Sequence, residues 1–157
     1  MSGKIIAIHV ARSEGGALQS LTEAELVADQ GIVGDRYFQA DGSRPEASLT
    51  LVESEQVEHL NAALGSKLEP AETRRNIVTR GVSLNDLVGK QFSLGAVRVE
   101  GIELCEPCRY LGGRLESMHE QDEITAAQIV AALTHRAGLR ARIIESGTVR
   151  VDDPILV

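Results

Sequence analysis

Cys105-Glu106-Pro107-Cys108 holds the only two cysteines of the 157-residue chain. Sulfur attacks or ligates as the thiolate, so the question is what would favour that form here. As half of a zinc site the pair needs two more ligands, and His119 and His135 follow at distances that match no common zinc signature. As a thioredoxin-type redox pair it must open a helix, whose N-terminus lowers the thiol pKa. Gly112-Gly113 predicts that any helix starting here breaks early. The third use is a single nucleophilic or ligating thiolate, favoured by Arg109 and by backbone N–H groups past Pro107. The bland alternative is two small apolar core residues. It suits Cys105, at the end of an alternating segment, better than Cys108, in a proline-bounded loop.

Three basic clusters accompany the thiols. Arg74-Arg75-Asn76 offers guanidinium forks that match phosphate or carboxylate bidentately, with an amide for directional bonding. Read as ordinary surface, the same arginines pair with Glu69 and Glu72 in solvent, the commoner outcome. Gly34-Asp35-Arg36 is either a turn with a local ion pair or a loop whose arginine faces a ligand. Arg140 and Arg142 share one face of an expected strand, as an outer surface or a basic wall. His9, His59, His119 and His135 have no mutual spacing of a ligand set and read as structural or surface residues.

The elements that must position these groups are short. Lys4–Arg12, Ala47–Val52, Asn76–Thr79, Gln91–Leu94, Val97–Leu104 and Leu139–Ile144 read as strands. Gly95-Ala96 makes a hairpin between two of them, and Ile155–Val157 is a final apolar stretch after the turn residues Gly147 and Asp152-Asp153-Pro154. Ser54 is placed to cap a helix with Val57, Leu60 and Leu64 on one face and Gly65 at its end. Thr125-Ala-Ala-Gln128 forms a capping box for a second helix running to Ala137 and stopped by Gly138. Gln30–Arg36 reads as a tight loop and Asp41–Pro45 as a polar excursion. About seven strands and two helices without regular alternation favour a mainly antiparallel barrel or sandwich with helices at its edge.

Composition bounds the function. Hydrophobic residues make up 43% and charged residues 25%, and no apolar run approaches the roughly eighteen residues of a membrane span. The opening Met1–His9 lacks the apolar length and cleavage site of a signal peptide, so a cytoplasmic protein is expected. There a cysteine pair is catalytic, redox-active or metal-binding more often than a disulfide. A formal charge of −7, two Tyr, two Phe and no Trp argue against nucleic acid.

Gly34-Asp35-Arg36, Arg74-Arg-Asn-Ile-Val78, Leu87–Gly95, Cys105-Glu-Pro-Cys108 and Gly138-Leu-Arg-Ala-Arg-Ile143 occur in this order. In that order they resemble the stand-alone MOSC-domain proteins, named for the C-terminal domain of molybdenum cofactor sulfurase. Tyr37 stands where relatives often have a histidine, and Asp152-Asp153 replaces a common Gly-Asp. The resemblance implies a mainly β fold: a MOSC-type β-barrel, like the pyruvate-kinase barrel, with a few peripheral helices and one domain over 1–157. It implies molybdenum cofactor (molybdopterin) as cofactor, with Cys108 as the metal-ligating or persulfide-carrying thiolate. Arg74 and Asn76 would lie near the phosphate or pterin, with Asp35, Arg36 and Arg140 completing the cofactor site. A family association with pyridoxal phosphate comes with it. The activities implied are sulfur carriage, a small molybdenum-dependent reduction of N-hydroxylated compounds, or non-catalytic binding on the same barrel. The implied partners are a cofactor or small-molecule ligand and a sulfur-donor or electron-donor protein, with no nucleic acid and no membrane.

Overall fold

A computed structural model describes residues 3–107, 109–119 and 124–157. Cys108 therefore lies outside the described residues. Among those residues eleven strands and three α-helices are seen. Seven strands close into a barrel: β11 (Pro154–Leu156), β7 (Gln91–Leu94), β8 (Val97–Leu104), β9 (Leu139–Ile143), β5 (Leu49–Glu53), β6 (Ile77–Arg80) and β1 (Gly3–Ala11), which returns to β11. The long first strand makes this possible. Residues 3 and 4 of β1 pair with β11, while on the same edge its far half, Ile8–Ala11, pairs with β2 (Leu18–Leu21). β1 is bulged between Ile5 and Ala7, and β8 between Gly101 and Glu103, the local bends that help a short sheet curl. β3 (Glu23–Val27), β4 (Gly31–Ile32) and β10 (Gly147–Arg150) form a small second sheet.

The barrel interior is apolar because alternation sends one side chain in two inward. Ile5, Leu49, Leu51, Ile77, Leu94, Val97, Val99 and Leu139 are fully buried there. β5 and β6 run parallel, which requires a crossover, and α1 (Ser54–Leu64) with a 3-10 turn at Pro70–Thr73 supplies it. α2 (Arg109–Met118) and α3 (Ala126–Leu133) pack beside α1 in a separate cluster that includes Val57, Leu60, Leu115, Ile129 and Leu133. Among the described residues no helix is long and apolar enough to cross a membrane.

Most strand expectations hold, and β7, β8 and the hairpin between them fall where alternation places them. Thr125 caps α3 as expected, accepting from the Gln128 N–H while the Gln128 amide oxygen accepts from the Thr125 N–H. Gly31–Ile32 within the expected loop and Pro154 within the expected turn are in strands, and four further expectations fail for local reasons. Ser54 is not the cap of α1: Glu53 occupies that position, and the buried Ser54 hydroxyl donates to Glu55. α3 ends at Leu133 rather than Ala137, where Thr134 turns its hydroxyl back onto the Val130 carbonyl and His135 takes a left-handed backbone (φ +62°). Gly147 opens a strand rather than a turn. The fourth failure is the largest. α2 runs straight through Gly112-Gly113, where an early break was expected. Two helical glycines cost about 2 kcal/mol together, whereas burying Leu111 and Leu115 contributes about 3–6 kcal/mol. Gly112 also has a packing reason, since a Cβ there would lie 2.9 Å from the Ala126 carbonyl oxygen and from a Val130 methyl of α3.

Candidate functional site: an arginine-lined cleft at the barrel rim

β1 and β8 end, and β6 and β9 begin, at the same rim of the barrel, because Ile8 pairs with Ile77 and Leu104 with Leu139. The residues just outside those strand ends therefore converge. They line a cleft of about 570 Å³, within the roughly 300–1,000 Å³ usual for small-molecule sites. Among the described residues five arginines line it, Arg36, Arg44, Arg74, Arg75 and Arg140, against two carboxylates, Glu14 and Glu106. The local excess of positive charge sits on a chain whose total is −7, so the field of the cleft and the charge of the molecule have opposite signs.

Each cation is held differently. Asp35 is buried and accepts the backbone N–H groups of Ala11 (3.1 Å) and Tyr37 (3.3 Å), which fixes its carboxylate. That carboxylate holds Arg36 Nη1 at 3.0 Å, and Arg36 Nη2 donates to the Arg74 carbonyl at 3.1 Å. Arg74 is buried, with a left-handed backbone (φ +63°) at the end of the Pro70–Thr73 turn. Arg75 Nε donates to the Ala137 carbonyl at 2.9 Å. Arg140 Nη1 bonds Glu103 at 2.7 Å. Among the described residues Arg44 makes no side-chain hydrogen bond or ion pair. Among the described residues neither Arg44 nor Arg75 is paired with a carboxylate, so their charge is left to offer an anion.

Cys105 forms part of the cleft wall. It ends β8, its N–H donates to the Gly138 carbonyl (2.8 Å), and its side chain is buried and unbridged. Burial pushes its thiol pKa up; Arg75 and Arg140 pull the other way without cancelling the effect. Gly138 is what lets β9 start this close to β5. Its φ is +112°, and a Cβ there would lie 2.0 Å from the Leu51 carbonyl oxygen. Glu106 is tied back by His135, whose Nδ1 lies 3.0 Å from one carboxylate oxygen and whose N–H donates to the other.

The sequence-derived residues separate into two layers. Arg36, Arg74 and Arg140 line the cleft. Asp35 stands behind Arg36 as its anchor. Asn76 is buried, and its amide is engaged at both ends. Its Oδ1 accepts from the Thr50 N–H (3.1 Å) and hydroxyl (3.0 Å), and its Nδ2 donates to the His9 carbonyl (3.1 Å), so it stitches β1, β5 and β6 together. Arg142, on the same strand as Arg140, instead makes a bidentate pair with Asp29. The reading of Arg74 as a solvated surface arginine is overturned by its burial, at 8% exposure. Of the candidate sulfurs, Cys105 lines the cleft, while Glu106 and Leu111, which flank Cys108 in sequence, line it as well. Sequence reasoning missed Glu14, Gln39 and Arg44 as cleft residues, since nothing in a Gly/Ser/Pro-rich loop marks one arginine as facing inward.

Fold and cleft together define a small closed-barrel protein with a cationic, cysteine-bearing cleft at one strand rim. A family model for the MOSC domain matches residues 33–156, and the chain belongs to the MOSC-domain family. Membership implies a role connected with molybdenum-cofactor binding or with sulfur. The match begins after β4, although β1 is part of the barrel wall. The fold is similar to that of the YuaD protein from Bacillus subtilis, with a TM-score of 0.87, 17% identity, and coverage of 99% of this chain and 94% of that one. It is also similar to YiiM from Geobacillus stearothermophilus (TM-score 0.72, 14% identity, 98% of this chain and 74% of that one). YiiM from Escherichia coli is a third relative in fold (TM-score 0.67, 18% identity, 98% and 68%). At these identities the likeness is one of fold. No curated protein sequence matches the chain.

Proposed function

We propose that this protein binds molybdenum cofactor in the arginine-lined cleft, or carries sulfur there, with Cys108 as the working thiolate. The observation that carries the reading is the convergence of five arginines and a cysteine on one cleft of about 570 Å³. The donor set fits the group. A molybdopterin carries a dianionic phosphate at one end and a soft, dithiolene-held metal at the other. It asks for guanidinium forks at the first and a thiolate at the second. Among the described residues no three His, Cys, Asp or Glu groups cluster as a metal site, and a metal already held by its own dithiolene needs only one thiolate from the protein.

Arg44 and Arg75 would take the phosphate, because among the described residues neither guanidinium is paired with a carboxylate. Arg36 and Arg74 add positive potential from fixed positions. Asp35 and Asn76 act through their neighbours, holding Arg36 and the start of β6. Cys105, kept protonated by burial, supports the wall rather than competing as thiolate. When bound, the cofactor would supply two-electron chemistry at molybdenum. In the sulfur-carrying form of the same reading, the Cys108 thiolate attacks the outer sulfur of a donor protein's persulfide. The donor's S–S bond breaks and its cysteine leaves as thiolate, and the arginines stabilise the persulfide anion formed on Cys108.

Purified wild type and Cys108→Ser, each incubated with a source of molybdenum cofactor, separate these forms. Stoichiometric molybdenum by mass spectrometry and pterin by fluorescence, both lost in the variant, support the cofactor site. A mass increase of one sulfur on Cys108, without metal, supports carriage. The absence of metal, pterin and persulfide from the wild type would overturn the reading.

A further inference from the structure

Tyr37 follows directly on the buried Asp35–Arg36 pair and lines the arginine cleft. Aromatic side chains are scarce in this chain, two Tyr, two Phe and no Trp, and Phe92 is consumed by the barrel core. An aromatic ring at the ligand site is therefore notable by its type as well as its place.

The ring is held by a chain of fixed contacts. Backbone N–H groups of Ala11 and Tyr37 hold Asp35, Asp35 holds Arg36 Nη1, and the Arg74 carbonyl holds Arg36 Nη2. The guanidinium so fixed lies over the Tyr37 ring, 4.4 Å from its centroid. A cation over an aromatic face is attractive, and here the cation cannot move away, so the ring loses little freedom when a ligand meets it. Shielding the Asp35–Arg36 pair occupies one face. Yet Tyr37 remains 36% exposed.

We propose that the opposite face of Tyr37 is a stacking platform for a planar heteroaromatic ring, so that the cleft selects phosphate esters of flat ring systems over phosphates of aliphatic alcohols. This rests on the anion-binding reading of the same cleft and adds the second determinant of its specificity. Arg44 and Arg75 take the phosphate, and the cleft volume accommodates ring and phosphate together. A tyrosine face is ring-tolerant because every planar heterocycle presents a π-surface to it.

The test is calorimetric titration with a pterin monophosphate ester and with glycerol 3-phosphate, which share the phosphate and differ in the ring. Wild type, Tyr37→Phe and Tyr37→Leu are compared, with thermal melts confirming that each is folded. Wild type and Tyr37→Phe should bind the pterin ester about ten-fold more tightly than the glycerol ester, and Tyr37→Leu should lose that preference while keeping its affinity for glycerol 3-phosphate. Equal affinities of wild type for the two esters, or an undiminished preference in Tyr37→Leu, would overturn the stacking proposal alone. Binding of neither ester would overturn it together with the anion-binding reading.

Discussion

Burial sets the chemistry of Cys105. Its thiol sits beside Arg75 and Arg140, which favour the thiolate, yet loss of hydration outweighs both and raises the pKa above the ordinary 9.0. The folded chain thus keeps this proton to higher pH than the unfolded chain does. The stabilisation from a neutral buried thiol is complete below the unfolded value and is lost as pH climbs through the folded one. In a Cys108→Ser background, iodoacetamide at about pH 8 should alkylate Cys105 at least about ten-fold more slowly than it alkylates the same chain unfolded in urea. Equal rates would mean that the thiol is neither buried nor protonated as described. Cys105→Ala, followed by denaturant melts above pH 9, should remove part of the alkaline loss of stability.

At the scale of elements, α2 shows how packing overrides propensity, and its two glycines have opposite consequences. Gly112 faces α3, where an added Cβ meets the Ala126 carbonyl oxygen and Val130 at 2.9 Å, and Gly113 meets nothing within 4 Å. Gly113→Ala should raise stability by about 0.5–1 kcal/mol, through the smaller backbone entropy of the unfolded chain and better helix propensity. Gly112→Ala should lower it by about 1–3 kcal/mol, because α2 or α3 must shift. Urea melts of the two variants give the signs directly, and a stabilising Gly112→Ala would show that the helices do not approach as closely as described. The result bears on the cleft, since Leu111 of α2 lines it while packing in the helical cluster.

At the scale of the whole molecule, a chain of net charge −7 concentrates five arginines of the described residues at one rim. Long-range attraction of an anion is therefore weak or opposed, and affinity depends on short-range forks inside the cleft. Arg44→Ala tests this, because the side chain has no structural partner among the described residues. Inorganic pyrophosphate should bind the variant several-fold more weakly than wild type at about 10 mM salt, and the difference should shrink toward about 0.5 M salt as screening shortens. Unchanged pyrophosphate affinity at low salt would remove Arg44 from the site.

What the sequence determined by itself is local. Alternation over four to eight residues delimits β7 and β8, and Thr125 with Gln128 marks the start of α3. The same alternation in Glu23-Ala-Glu-Leu-Val27 was a usable signal for β3 that polar flanks obscured. Residue type also marked Arg36, Arg74 and Arg140 as anion-seeking, since a guanidinium fork has that chemistry wherever it stands. Only the tertiary structure decided which arginines share a site. Arg36 reaches the Arg74 carbonyl across 38 residues, Arg142 turns to Asp29, and Arg44 enters from a loop with no periodicity to read. It also made Asn76 a stitch between three strands, because its amide meets Thr50 and His9 only after β1, β5 and β6 are side by side. Propensity and alternation act within a few residues, whereas closure of β1 onto β11 and the register of β6 and β9 on β5 are set by burial of one shared core.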